Sequence, residues 1–214
     1  MKLLFIGNSH TYFNEVPATV LALLRATGVK AHVTMLASGG KNLAFHAASS
    51  AAAFNIKHGE YDFVIIQDKG AAFERESFES NALKLKEMID EAGSKMLLYM
   101  PWSLLSNRDT QKDMTAAYLD FAEKNHVLLA AAGEAFGRVL QQEDASLLFS
   151  ADGNHATPLG SYLAALTIFY TLTGRKRVLS PDSIKDPGLA AGFSPLHCRS
   201  FHVEACHTAR LYNG

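Results

Sequence analysis

Short apolar runs with strand character recur along the chain, and a helical pattern follows each of them. This alternation restricts the possible folds more than any other feature. Residues 3–6 (Leu-Leu-Phe-Ile), 31–36, 63–66 (Phe-Val-Ile-Ile), 95–100 and 127–130 are the strand candidates. Residues 16–24, 43–54, 80–92, 110–124, 133–142 and 159–172 carry helical spacing. In 80–92, Leu83, Leu85, Met88 and Ile89 mark an inward face, and Lys84, Lys86, Glu87 and Glu91 an outward one. Strands this short and this apolar belong in a parallel sheet covered by helices on both faces. Five of them cannot close an eight-stranded barrel, so the pattern predicts an open, doubly wound α/β sheet.

Residues 1–178 carry the alternation as one domain. Residues 179–214 hold three of the six prolines and a short helix at 202–212. They read as an extension packed on the domain or used in assembly, where the segment could mediate a homodimer. The 214-residue chain is 48% hydrophobic, enough for a sizeable core. Its 20 basic and 21 acidic side chains leave a net charge of −1, which gives nucleic acid or an anionic membrane nothing to follow. The apolar run after Lys2 is too short for a signal peptide, and no stretch reaches the ~20 apolar residues of a membrane span. The expectation is a cytoplasmic protein without a membrane partner. Cys198 and Cys206 are expected as free thiols. Together with His202 and His207 they have spacing that a zinc site would use, but a helix face packed on the domain accounts for it more simply, and no metal or cofactor is expected.

In an open α/β sheet, ligands bind beyond the carboxyl ends of the strands. Four polar segments fall there: Gly7-Asn8-Ser9-His10-Thr11, Ser38-Gly39-Gly40-Lys41-Asn42, Gln67-Asp68-Lys69-Gly70, and Asp152-Gly153-Asn154-His155 before the last long helix. Ser9 at a strand end is either a helix cap or a nucleophile awaiting a base. His10 beside it points elsewhere and reads as a cleft-lining residue. Asp152 and His155, three apart on one loop, could face one cleft, with His155 as general base and Asp152 orienting its imidazole. Gly39 and Gly40 could bring backbone N–H groups to a developing oxyanion, and Gln67 could add a side-chain amide. Asn8, His10, Gly39 and Trp102, the single tryptophan, are candidate pocket residues. No glycine-rich nucleotide-binding pattern follows any strand.

Taken together, these blocks resemble the SGNH (GDSL-like) hydrolases. Gly7-Asn8-Ser9-His10-Thr11 resembles the family's first block, in the Gly-Asn-Ser-x-Thr variant of a subgroup labelled as a domain of unknown function. Ser38-Gly39-Gly40-Lys41-Asn42-Leu43 resembles the second block, and Asp152 to Gly160 the closing Asp-x-x-His block. The resemblance implies a flavodoxin-like three-layer α/β/α sandwich with a five-stranded parallel sheet, and ester hydrolysis without metal. It implies Ser9 as nucleophile, His155 as base, Asp152 as its orienter, and the Ser9 and Gly40 N–H groups as oxyanion donors. The third block departs from the family's Gly-x-Asn-Asp: the stretch reads Ile66-Gln67-Asp68-Lys69-Gly70, so Gln67 stands in for the missing asparagine as the expected third donor. The implied activity is that of a serine esterase or deacylase on a small or carbohydrate-linked acyl ester. The alternative is a ligand-binding domain that keeps the fold without the chemistry.

Overall fold

The computed structural model describes residues 1–214. Five strands form one parallel sheet: β1 (Lys2–Gly7), β2 (His32–Ala37), β3 (Phe63–Ile66), β4 (Lys95–Tyr99) and β5 (Leu128–Ala130), in the order β2-β1-β3-β4-β5. The helices are α1 (Ser9–Tyr12), α2 (Val16–Ala26), α3 (Leu43–Ala47), α4 (Ser50–His58), α5 (Arg75–Glu91), α6 (Thr110–Asn125), α7 (Ala132–Val139), α8 (Pro158–Thr173), α9 (Pro187–Ala190) and α10 (Pro195–Asn213). No helix is long and apolar enough to cross a membrane.

Side-chain alternation along the strands builds two cores. Leu3 and Phe5 of β1 face one layer with Ile65, Leu97 and Tyr99, and are covered by α2, α7, α8 and α10. Leu4 and Ile6 face the other with Val64, Ile66, Met96 and Leu98, covered by α3 to α6. The result is the expected three-layer sandwich with a five-stranded parallel sheet. The chain leaves β1 over one layer to reach β2, then crosses the other layer to reach β3 on the far side of β1. This reversal opens a crevice beyond the carboxyl ends of β1 and β3.

Helix α8 is buried on nearly every side, consistent with its uniformly apolar sequence. Its N-terminus has Thr157 as cap, accepting from the Gly160 N–H at 3.0 Å, and Pro158 in the first turn. The outer cover of α8 is α10, whose Cys198, Phe201, Ala205, Cys206 and Ala209 join the same core. Residues 179–214 are thus continuous with the packing of the sandwich. A buried polar cluster fixes them: Tyr170 donates to His202 Nδ1 (2.8 Å), His202 Nε2 donates to Asp186 (2.9 Å), and Tyr162 donates to the other Asp186 oxygen (2.8 Å). Burial alone would raise the Asp186 pKa, but these hydrogen bonds outweigh it and hold the carboxyl below its usual value.

Three expectations are corrected. The helical stretch 43–54 is two helices, because the Ser49 hydroxyl accepts from the Ala52 N–H and starts a new one. Helix α5 begins at Arg75 rather than residue 80, because Phe78 must be buried; its Leu83 points to solvent, 44% exposed. Helix α10 begins at Pro195, behind a Ser194 cap, rather than at 202.

The cluster at Asp186 generates a stability prediction. His202→Ala removes the partner of one oxygen of a buried carboxylate and should cost about 3–5 kcal/mol, read by urea unfolding. Because the Asp186 pKa is depressed, its contribution is present at neutral pH and is lost as pH falls through its folded-state value.

Candidate active site

The turn after β1 decides what Ser9 is free to do. Asn8, not Ser9, caps α1: its side chain accepts from the His10 N–H at 3.1 Å. The other side-chain end of Asn8 donates to the Lys41 carbonyl at 2.9 Å, and its backbone N–H donates to Gln67 Oε1 at 3.0 Å. One buried residue, through its side chain and its backbone N–H, therefore ties together the segments after β1, β2 and β3. The Ser9 hydroxyl takes no capping role and turns to His155, whose Nε2 lies 2.9 Å from Ser9 Oγ.

His155 sits on a hairpin. Ser150 N–H donates to the His155 carbonyl (2.8 Å) and Thr157 N–H to that of Leu148 (2.9 Å). Asp152 grips this loop with both oxygens. One accepts from the backbone N–H groups of Asn154 and His155, each at 2.9 Å, and the other lies 2.6 Å from His155 Nδ1. The His155 side chain, above all, and these backbone donors lower the Asp152 pKa to about 2. The carboxylate stays charged across the physiological range, which assigns the proton to His155 Nδ1 and leaves Nε2 as the acceptor facing the serine. The loop is further moored by Trp102 Nε1 to the Asn154 carbonyl (2.8 Å) and by Leu105 N–H to that of Gly153 (2.8 Å).

Two of the expected oxyanion donors are backbone groups without a partner in the protein: the N–H of Ser9 and that of Gly40, in a turn whose Lys41 carbonyl is bonded to Asn8. Gly40 adopts φ +69°, a left-handed conformation that disfavours a side chain. A side chain on Gly39 would meet the Tyr12 hydroxyl at 2.8 Å, so that glycine lets Tyr12 close over the turn. Gln67 is placed differently from the expectation. It is 1% exposed; its carbonyl accepts from Asn8 N–H and from Thr11 Oγ1 (2.8 Å), and its amide donates to the Asp68 carbonyl. All of its polar atoms face inward, as a brace for the serine turn. Asp68 also braces, accepting from Leu43 N–H (2.9 Å) and Lys69 N–H (2.8 Å), with burial raising its pKa.

His10 is 5% exposed and packs between two rings, stacked on Trp102 (centroids 4.9 Å) and edge-on to His155 (5.8 Å). Burial first, then the neighbouring His155, lower its pKa to about 4, so it is neutral at pH 7. Its Nδ1 is buried without a partner. Trp102 is 2% exposed and stacks on Phe136 by its other face (4.0 Å), so it forms the wall behind His10 rather than an open lining. Two residues were not singled out by the sequence. Phe13 lies over the His155 ring at 4.3 Å, and Asn14 donates to the Ala156 carbonyl at 3.0 Å. Their only sequence signal is proximity to Ser9.

Several solved structures are similar to this one. A DUF4886 family protein from Bacteroides uniformis aligns with TM-score 0.76 at 20% identity, covering 100% of this chain and 96% of its own. Axe2, an acetylxylan esterase from Geobacillus stearothermophilus, aligns with TM-score 0.67 at 17% identity, covering 81% and 94%. TesA aligns with TM-score 0.60 at 15% identity, covering 79% and 98%. No family model matches the chain, and no curated protein matches it in sequence. Likeness at this identity carries the architecture: the chain shares the three-layer α/β/α fold of these proteins.

Two measurements test the geometry. A 13C titration should find the Asp152 carboxyl ionised down to about pH 2, and His155→Ala should raise its pKa toward the ordinary ~3.9 by removing its strongest partner. Gln67→Ala should cost about 1–3 kcal/mol in chemical denaturation, because the Asn8 N–H loses its acceptor.

Proposed function

We propose that the protein is a serine esterase acting through a covalent acyl-enzyme. The observation that carries this reading is the continuous line from Asp152 through His155 to Ser9, with links of 2.6 and 2.9 Å. His155 Nε2 takes the Ser9 proton as Oγ attacks the ester carbonyl, and Asp152 stabilises the imidazolium that forms. The carbonyl oxygen, now negative, is met by the Ser9 and Gly40 N–H groups. Collapse expels the alcohol, which takes the proton back from His155. Water activated by the same imidazole then releases the acid. Each oxyanion donor of this kind contributes about 3–4 kcal/mol to the transition state, so the inward turn of Gln67 leaves a two-donor site unless another group joins with substrate bound.

A small acyl group on a carbohydrate is the substrate class we favour. Its support is the shared fold with Axe2, an acetylxylan esterase, and the stacked, half-exposed rings of Tyr12 and Phe13 beside the serine turn. Aromatic faces of this kind suit the apolar face of a sugar. The ligand-binding alternative draws on the missing third-block asparagine, and one experiment separates the two. The wild-type protein should label with a fluorophosphonate at Ser9 and turn over a short-chain aryl ester, and Ser9→Ala should lose about 10⁴-fold or more in kcat with its fold intact. An unlabelled wild-type protein, or wild-type rates from Ser9→Ala, would sink the esterase in favour of the binding domain.

A further inference from the structure

The segment that follows α1 is strained in a way that the proposed chemistry does not use. Asn14 (φ 52°, ψ 23°) and Glu15 (φ 55°, ψ 47°) are both left-handed, and neither is glycine. One such residue is uncommon for an L-amino acid, and two in succession compound the cost. Backbone of this kind persists only where its surroundings hold it, and it concentrates at functional sites. Here the hold is the Asn14 amide. Its Nδ2 donates to the Ala156 carbonyl at 3.0 Å and to Ser161 Oγ at 2.9 Å, and both partners are buried. Ala156 directly follows His155, so the strap leaving the serine turn is fastened to the histidine's own loop.

The strain does not serve to bury Phe13, which remains 42% exposed. Instead the Phe13 ring lies over the His155 imidazole, at 4.3 Å between centroids and 31° between planes. Hydrogen bonds to Asp152 at Nδ1 and to Ser9 at Nε2 hold the imidazole at two points but leave it free to tilt about the line between them. A ring against its face removes that freedom. Ser9 and His155 come from segments 146 residues apart, and the strap links them a second time, beside their own hydrogen bond.

We propose that Asn14 and Phe13 are positioning residues for His155: the Asn14 amide locks the strap to the histidine loop, and Phe13 holds the imidazole so that Nε2 stays aimed at Ser9 Oγ. The consequence for turnover rests on the esterase reading, but the placement of the ring does not.

Asn14→Gly is the clean test, because glycine accepts the left-handed backbone without strain while the amide is lost. Thermal unfolding should show the variant folded. Its kcat for a short-chain aryl ester should fall about tenfold or more with KM within about twofold, the mark of a displaced base rather than a damaged binding site. Phe13→Ala should behave likewise, and Phe13→Tyr should recover most of the rate. The far-downfield proton resonance of His155 Nδ1–H, bonded to Asp152, should broaden or vanish in Asn14→Gly. Unchanged kcat in both Asn14→Gly and Phe13→Ala would overturn the proposal, as would an unperturbed resonance in Asn14→Gly. If the wild-type protein neither labels nor turns over ester, the esterase reading fails, and the resonance alone then decides whether the strap positions the ring.

Discussion

Asn8 is the residue on which the site depends. Its three hydrogen bonds reach the Gln67 side chain after β3, the Lys41 carbonyl after β2 and the first turn of α1. By meeting the N-terminal donor that a serine would otherwise cap, it leaves Ser9 Oγ for the histidine. By drawing in Lys41, it brings the Gly40 turn beside the serine turn. Asn8 is 3% exposed, and its bonds to Gln67 and to the His10 N–H are made where water cannot compete for them.

The polar groups around Ser9 divide into those that brace and those that face the cleft. Gln67, Asp68 and Trp102 direct their hydrogen bonds into the fold and hold the loops. The Asp152 carboxylate is half-exposed and lies 2.6 Å from His155 Nδ1. His10, buried and neutral, packs against the imidazole without adding a second positive charge. This sorting leaves the imidazole with its Nδ1–H held by the Asp152 carboxylate and its Nε2 facing the Ser9 hydroxyl.

Helix α8 supports both ends of this arrangement. It starts directly after the histidine loop, its Ser161 receives the Asn14 amide, and α10 seals its outer face through the Asp186–His202 cluster. The last thirty-odd residues of the chain thereby brace the helix that carries the histidine loop. They belong to the same core as Ser9's strand, which contributes Leu3 and Phe5 to it.

The alternation of apolar runs and helical patterns was enough to read a parallel three-layer sandwich, because strand and helix periodicities are local properties of a chain. The blocks around Ser9, Gly40 and His155 were legible for a related reason: each lies within a few residues of an element end, where the topology must bring ligand-facing groups together. The direction of a side chain within those blocks was not legible. Gln67 sits at the expected strand end, yet its side chain turns inward because its carbonyl accepts from both the Asn8 N–H and the Thr11 hydroxyl. Leu83 fits a helical face by spacing but lies outside the arc that the sheet covers. The contact of Phe13 with His155 spans 142 residues and depends on two left-handed residues that no local propensity calls for. Sequence alone determined which elements form and which polar groups gather at the crevice, since both follow from short-range pattern. Only the tertiary structure decided which of those groups point at one another, because that choice is made by hydrogen-bond competition between segments far apart in the chain.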